Sequence, residues 1–426
     1  MKLKLFHIFF SLSVFLLPWQ TRYIFHTLSA GEGMSEYGVL SIYVVEILVV
    51  LAYLLRGRLQ LTPGAEKLLK AVMVTMGAVF FSLALSHVVT VGWFHVLHVL
   101  TAFLLFSLVL DERTSLNRLS FLLALGLVGP SLLGVCQVAT GSSGASTLLG
   151  LATKDVAVQG VAVVETATSR MMRAYGSFPH PNIFGGYVAV ALMMLAWSIR
   201  SLTSKRLLWL VGSLVVLLSA TLTMTFSRSA WFGLLSALVL LVAQMLWIRK
   251  MPPSRAVPLM TLGLVSVLIT LGIFHNQLLA RFNPSLHVEA TSIEERASQY
   301  TSFNDVYFTS TLVGVGPGGY VFALESLDPG HEAWSYQPIH NTFLLLMAEV
   351  GMLGFVLAAR VIWLLWKQLR LNRRRAGGVF GTSLLALLFV VGFFDHYLWS
   401  LWPGLALSAL ALGCVARYSF EETKHF

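Results

Sequence analysis

The sequence predicts an all-α integral membrane protein with about 12 transmembrane helices and both termini in the cytoplasm. Apolar residues make up 57% of the 426 residues and charged residues only 11%, against roughly 25% charged residues in a typical soluble domain. Such a chain cannot cover its surface with polar groups, so lipid must be its main solvent. This composition excludes a secreted soluble protein, a cytosolic enzyme and a disordered chain.

Twelve apolar segments approach the length of about 20 residues that a bilayer-spanning helix needs. The first follows Lys2 and Lys4 as in a signal peptide, but no small-residue cleavage site follows it, so we interpret it as a span. The predicted spans are 5–20, 38–55, 69–88, 91–110, 119–139, 182–199, 207–224, 229–247, 257–275, 341–366, 377–394 and 399–416.

The distribution of charge predicts the orientation. Alternating the twelve spans from a cytoplasmic N-terminus places 21 of the 29 lysines and arginines in cytoplasmic segments and seven in outer segments, with Arg360 inside a span. An excess of basic residues in cytoplasmic loops is the usual pattern in membrane proteins. The net charge of +10 therefore reflects topology, and no nucleic-acid partner is predicted.

We treat residues 1–426 as one polytopic membrane domain with two long outer loops. The first loop covers residues 140–181, and the larger loop covers residues 276–339 between spans 9 and 10. The predicted cytoplasmic loops are short, so any chemistry is expected at the outer face.

The end of the first outer loop carries Arg170, Arg173 and Asn182. The two arginines are spaced to share one helical face and bind one anion, while Asn182 can cap the helix that follows Pro179 and Pro181. The alternative is that these arginines contact lipid head groups at the interface.

Arg228 lies between two apolar segments with almost no loop between them. An arginine at this depth is costly unless it is paired, which favours a functional role. The alternative is a side chain that extends to the membrane surface.

The larger loop contains Arg296 in a segment that predicts a helix from Ser292 to Ser310, with Ser292 as its cap. Arg296 can reach a site or pair with Glu294 or Glu295. The glycine-rich segment 314–319 lacks the ending of a phosphate-binding P-loop, and we interpret it as a tight turn over a site.

His340 and Asn341 stand where the larger loop meets the tenth span. Histidine suits general-base catalysis at neutral pH, although a single histidine is more often structural. Glu349 lies deeper in the same span and is expected to pair within the bundle.

No metal site is predicted. His95 and His98 are spaced to share a helix face, and Asp395 precedes His396, but neither pair has a third ligand at suitable spacing. We expect both pairs to serve helix packing or interfacial polarity.

A base and several arginines at the outer membrane boundary suit the displacement of a diphosphate from a lipid carrier. Arginine binds phosphate oxygens in a bidentate manner without a metal ion. His340 would remove the proton from an attacking hydroxyl group. No cofactor or nucleotide is needed, because the energy is stored in the lipid-linked pyrophosphate.

The ordered motifs over residues 170–400 resemble the O-antigen ligase and polymerase superfamily of bacterial membrane glycosyltransferases. His340-Asn341, nine residues and then Gly351-x-x-Gly354 match the ligase pattern without a gap. The segment from Arg170 to Asn182 is similar to the Arg…Gly-x-Phe-x-x-Pro-Asn pattern of the family.

Two further motifs are similar to those of the family. Ser227-Arg228-small-x-x-x-Gly matches one element, with Phe232 where the family form has leucine, and Arg296 resembles a loop arginine that follows a serine by four residues. The substitution at Phe232 is mild on an apolar face.

The resemblance implies a metal-independent transfer of a glycan from an undecaprenyl-pyrophosphate-linked donor at the periplasmic side of the bacterial inner membrane. His340 would activate the acceptor, Arg228 and Arg296 would bind pyrophosphate, and Arg170, Arg173, Asn182 and Asn341 would contact substrate. The ligase-type pattern favours an O-antigen ligase with lipid A–core as acceptor over a polymerase that extends another glycan.

Other protein classes stay open. Twelve spans also suit a transporter or lipid flippase, although few ionisable residues lie within the predicted spans. A structural membrane protein would tolerate loss of His340. A cell-wall polymerase of the shape and division family would need a catalytic aspartate in an outer loop, and Asp305 and Asp328 are available.

Overall fold

A computed structural model describes residues 2–166, 168–283 and 287–420. The chain begins with helix α1 (Lys2–Leu16), continues into an antiparallel hairpin of β1 (Arg22–Ser29) and β2 (Met34–Tyr43), and then forms α2 (Val44–Arg56). The remaining elements are α3 (Pro63–Ala84), α4 (Val89–Leu110), α5 (Leu116–Gly126), α6 (Val128–Thr140), β3 (Ser142–Ser143), β4 (Lys154–Asp155), β5 (Val163–Glu165), β6 (Arg170–Met172), α7 (Pro181–Ser198), α8 (Lys205–Met224), α9 (Arg228–Trp247), α10 (Ala256–Ile273), α11 (His275–Arg281), α12 (His287–Thr309), α13 (Tyr320–Leu327), α14 (Thr342–Leu371), α15 (Ala376–Phe394), α16 (Tyr397–Ser400) and α17 (Trp402–Phe420).

The prediction of an all-α membrane protein is confirmed. Among the described residues, ten helical segments are long and apolar enough to cross a bilayer, with α5 and α6 forming one of them. The others are α3, α4, α7, α8, α9, α10, α14, α15 and α17.

The two remaining predicted spans correspond to shorter helices. Helix α1 has 15 residues and α2 has 13, whereas a full crossing needs about 20. The predicted span 38–55 begins inside β2, so its first residues are extended rather than helical. Hydrophobicity alone could not separate this β-branched and aromatic strand from a helix. The count of twelve spans and the cytoplasmic termini stay predictions.

One end of the helix bundle carries the long connections, and we call it the loop face. It consists of hairpin β1–β2 and residues 141–166, 168–180, 225–227, 274–283, 287–341 and 395–401. Hydrogen bonds join these segments: Thr21 Oγ1 donates to Leu148 O at 2.6 Å, and Gly31 N donates to Glu325 Oε1 at 2.6 Å. Both predicted outer loops therefore belong to one structured surface.

Helix α7 lies at the centre of the bundle and is almost wholly buried. It packs against α5, α8, α9 and α15. A side chain at Gly186 would overlap the Tyr397 hydroxyl group, so the glycine permits close packing against the loop face. This packing fixes the N-terminus of α7, where Asn182 lies.

Helix α14 is broken at Gly351, whose φ of 68° lies in the left-handed region. The segment 311–319 docks against this break. Val315 N and Gly316 N donate to Ala348 O and Glu349 O at 3.0 and 2.9 Å, while Met352 N donates to Thr311 O at 2.9 Å. Backbone groups at membrane depth need partners within the protein, and the docked segment supplies them.

The Glu349 side chain completes this junction. Its carboxylate accepts hydrogen bonds from Gly318 N at 2.8 Å, Tyr320 N at 3.3 Å and Trp399 Nε1 at 2.7 Å. The glycine-rich segment is therefore a docked turn held by a buried carboxylate. Glu349 pairs within the bundle as expected.

Replacement of Gly351 by alanine should destabilise the protein by about 1–3 kcal/mol, the usual cost of forcing a side chain into such backbone. A Cβ at this position would also overlap Leu312 O. The matched control is Gly77→Ala in α3, where a Cβ would meet nothing within 4 Å. We expect a lower thermal midpoint in detergent for Gly351→Ala alone, and equal midpoints would contradict the assigned role of the break.

Candidate active site

His340 is held just before α14 by two neighbours. Asn341 caps the helix, because its Oδ1 accepts hydrogen bonds from Phe343 N at 3.0 Å and Leu344 N at 3.1 Å. Gln299 Oε1 of α12 accepts from His340 N at 3.1 Å and lies 2.9 Å from His340 Nδ1. An amide oxygen only accepts hydrogen bonds, so Nδ1 carries the proton and Nε2 presents a lone pair.

Burial favours the neutral form of His340. Desolvation lowers the pKa of the imidazole, the positive charge of Arg296 lowers it further, and the negative charge of Asp395 partly opposes them. A neutral imidazole with a free lone pair on Nε2 is the form that accepts a proton from a hydroxyl group.

Asp395 and His396 stand beside His340, although the sequence suggested only a packing role. The rings of His340 and His396 lie 5.1 Å apart, and Asp395 O accepts hydrogen bonds from Thr342 N and Oγ1 at 2.9 and 2.7 Å. His396 Nδ1 lies 2.7 Å from Ser400 Oγ. Burial and the neighbouring His340 lower the pKa of His396.

A hydrogen-bonded chain connects this pair to a buried arginine. Arg173 Nη2 donates to Asn182 Oδ1 at 2.7 Å, and Asn182 Nδ2 donates to Asp395 Oδ2 at 2.7 Å. The prediction that Asn182 caps α7 is wrong, because His180 is the capping residue and accepts from Asn182 N at 3.1 Å. The Asn182 side chain instead joins a cation to an anion.

Arg170 and Arg173 do not share a helical face as predicted. Arg170 begins strand β6, where it is exposed opposite Glu165, whereas Arg173 is buried. In an extended segment, residues three apart point to opposite faces. The short β-hairpin separates the two side chains that a helix would have aligned.

Two arginines bind backbone carbonyl groups of the tight turn between α8 and α9, and a third, Arg228, binds the backbone of one of them. Arg173 Nε donates to Thr225 O at 2.7 Å, Arg281 Nε donates to Phe226 O at 3.3 Å, and Arg228 Nη1 donates to Arg281 O at 3.3 Å. Phe226 has a φ of 48°, which is uncommon for a bulky residue. No sequence pattern pointed to Arg281, because its burial beside Phe226 arises only in the fold.

Arg296 faces the histidines from α12. It precedes Gln299 by three residues, so the two side chains lie on the same side of the helix, and its charge lowers the pKa of both His340 and His396. The helix itself begins at His287, so Ser292 lies inside it rather than at its cap. The Ser292 side chain lies outside the described residues.

His340, Asp395 and His396 form one cluster that can hold a metal ion. One possible ligand atom from each residue lies within 4.8 Å of the others. Two histidines and a carboxylate are a common ligand set for transition metals. The expectation that Asp395 and His396 have no third ligand is wrong, because the fold brings His340, which lies just before α14, beside them.

Residues 213–359 match the family model described as O-antigen ligase. This match supports the superfamily that the motifs resemble, and with it a membrane glycosyltransferase of the O-antigen ligase and polymerase type. It contains Arg228, Arg296 and His340, whereas Arg173 and Asn182 precede it and Asp395 follows it. The comparison with curated proteins found no match.

Replacement of Asn182 by leucine should cost about 1–3 kcal/mol of stability, because two buried charged groups would each lose a hydrogen bond. Asn117→Leu is the matched control, since Asn117 donates one exposed hydrogen bond to Ser201. Thermal midpoints in detergent measure both effects. A midpoint for Asn182→Leu no lower than that of the control would contradict the linking role.

Proposed function

We propose that the protein transfers a glycan from undecaprenyl pyrophosphate to an acceptor hydroxyl group, with lipid A–core as the acceptor. The observation that carries this proposal is the environment of His340: its Nδ1 lies 2.9 Å from Gln299 Oε1, which leaves Nε2 to accept a proton, and burial lowers the pKa of the imidazole. The positive charge of Arg296 lowers the pKa of the same histidine. Arg173 connects the turn between α8 and α9 to Asn182 through hydrogen bonds.

The reaction we propose is a single displacement. The acceptor hydroxyl gives its proton to His340 Nε2 as its oxygen forms a bond to the anomeric carbon of the donor sugar. The bond from that carbon to the pyrophosphate oxygen breaks, and the electron pair leaves with undecaprenyl pyrophosphate. The proton on His340 then passes to solvent, which restores the base.

The arginines would stabilise the negative charge that develops on the leaving group. Arg228 and Arg296 would bind the pyrophosphate oxygens, and planar guanidinium groups match such oxygens in a bidentate manner. Arg173 is buried and held at both ends of its guanidinium group, so we assign it to positioning Asn182 and the turn. Preorganised charge of this kind usually supplies much of the rate enhancement.

We propose that the transfer needs no metal ion. The positive charge of Arg296 acts on both histidines of the cluster that can hold a metal, and a positive field disfavours a bound cation. Asp395 is also engaged already, since it accepts hydrogen bonds from Asn182 Nδ2 and His396 N.

We place the reaction on the periplasmic side of the bacterial inner membrane. The excess of basic residues on the opposite segments supports this orientation of the loop face. Lipid-linked glycan is presented at the membrane boundary, where the loop face and the helix bundle meet.

His340→Ala should lower the transfer rate by a factor of about 10²–10⁴, the usual contribution of a general base. The assay uses purified protein in detergent with EDTA, undecaprenyl-pyrophosphate-linked glycan, and lipid A–core and free repeat units as competing acceptors. His275→Ala is the matched control, because His275 is exposed on α11 of the same face.

Glycan on lipid A–core that disappears in His340→Ala would support the ligase, and longer lipid-linked chains would indicate a polymerase with the same base. Loss of activity with EDTA that zinc restores would overturn metal independence and point to the cluster of His340, Asp395 and His396. An unaffected rate in His340→Ala would contradict the proposed base.

The single displacement should invert the configuration of the anomeric carbon, because the acceptor attacks from the side opposite the pyrophosphate. The linkage in the product can be compared with that in the donor by the one-bond carbon–proton coupling in nuclear magnetic resonance spectra. A retained configuration would require two displacements and would contradict this mechanism.

A further inference from the structure

A cavity lies beside His396, which together with His340 forms the histidine pair of the candidate active site. It has a volume of about 50 Å³ and lies between hairpin β1–β2, α4 and the chain around α16. The lining residues that matter most here are Arg22, Tyr37, His95, Pro338, Ser400 and Trp402.

The cavity meets the candidate active site through His396. The Tyr37 ring lies 5.9 Å from the His396 ring in an edge-on arrangement, and Ser400 Oγ lies 2.7 Å from His396 Nδ1. Pro338 lies two residues before His340. Hairpin β1–β2 and α16 therefore form the side of the histidines on which the cavity lies. The arginines act on the histidines from elsewhere, Arg296 from α12 and Arg173 through the hydrogen bonds that link it by way of Asn182 to Asp395.

His95 lines the cavity and carries a buried ring nitrogen that lacks a hydrogen bond among the described residues. His95 is 6% exposed, and its Nε2 has no partner among the described residues. The neighbouring His98, by contrast, is paired with Glu46 Oε1 at 2.8 Å. Leaving a buried polar atom without a partner is costly, so the His95 nitrogen is suited to a ligand that brings its own hydroxyl group.

The chemistry of the lining suits a sugar. Aromatic rings of Tyr37, Phe94 and Trp402 stand beside the polar groups of Arg22 and Glu36, and ligand sites combine apolar walls with a few placed polar groups in this way. The volume accommodates a few water-sized groups, which corresponds to the hydroxyl or hydroxymethyl substituents of one sugar ring at the mouth.

Hairpin β1–β2 is fixed in place rather than lying loosely on the surface. Its turn is held by Gly31 N donating to Glu325 Oε1 at 2.6 Å and by Glu32 N donating to His331 O at 3.0 Å. At its base, Arg22 Nη1 donates to Tyr43 Oη at 2.9 Å. These bonds hold Tyr37 against His396 and keep the cavity formed.

We infer that this cavity is the acceptor subsite, which binds the terminal sugar of the acceptor through His95 and the aromatic walls and directs its hydroxyl group to His340. The inference rests on the proposed transferase function. It assigns the acceptor to the hairpin side of the histidines and leaves the arginine side to the donor.

The test compares kinetic constants of His95→Leu with those of the wild type, with lipid A–core as the varied acceptor. Loss of one hydrogen bond to the sugar should raise the acceptor KM about tenfold, while the donor KM stays unchanged. Because the substitution removes an unpartnered nitrogen, the thermal midpoint should stay the same or rise. The matched control is His87→Leu, an exposed histidine just before α4.

A second variant, Tyr37→Ala, removes an aromatic wall from another element and should also raise the acceptor KM. Unchanged acceptor KM values in both variants, with active wild-type protein, would overturn the subsite and leave the transferase standing. Wild-type protein that transfers glycan to neither acceptor would instead count against the proposed function. A raised donor KM would place His95 on the donor side and overturn the assignment.

Discussion

The broken backbone of α14 must find its hydrogen-bond partners inside the protein, because lipid offers none. The segment 311–319 meets that need at Gly351, and Glu349 fastens the same segment while also binding Trp399. His340 lies at the start of this helix, and Trp399 lies beside its partner His396. The geometry of the candidate site therefore depends on the hydrogen bonds that segment 311–319 makes to the backbone groups at the break in α14.

Burial and the charge of Arg296 favour the neutral form of His340. Burial and Arg296 lower the pKa of His340, and Gln299 determines which ring nitrogen carries the proton. Arg173 is linked to Asp395 through Asn182. The interposed amide gives each of these two charged groups a hydrogen bond.

The proposed acceptor subsite accounts for the position of hairpin β1–β2. Two strands at the start of a helical bundle are held to residues from the last third of the chain. The hairpin places Tyr37 next to His396, so the wall of the cavity and the histidine pair belong to one packed surface. Donor and acceptor can then approach the same base from different elements.

The sequence alone determined the membrane class, because composition and apolar segments depend on no tertiary contact. It also predicted His340, Arg228 and Arg296 as site residues, since each lies in a motif whose residues are close in the chain. Asn341 acts as a local helix cap beside His340. The hairpin β1–β2 was missed because a strand of apolar, β-branched residues has the hydropathy of a span.

Only the tertiary structure decided which distant residues share the site. Asp395, His396 and Gln299 reach His340 through packing between helices, and Arg281 joins Arg228 through a turn that no local pattern specifies. Asn182 was predicted to cap α7 but instead links Arg173 to Asp395, because the fold brings both partners to its side chain. A sequence pattern describes only residues that are a few positions apart. The contacts above form because polar groups buried in a helix bundle surrounded by lipid must find hydrogen-bond partners within the protein.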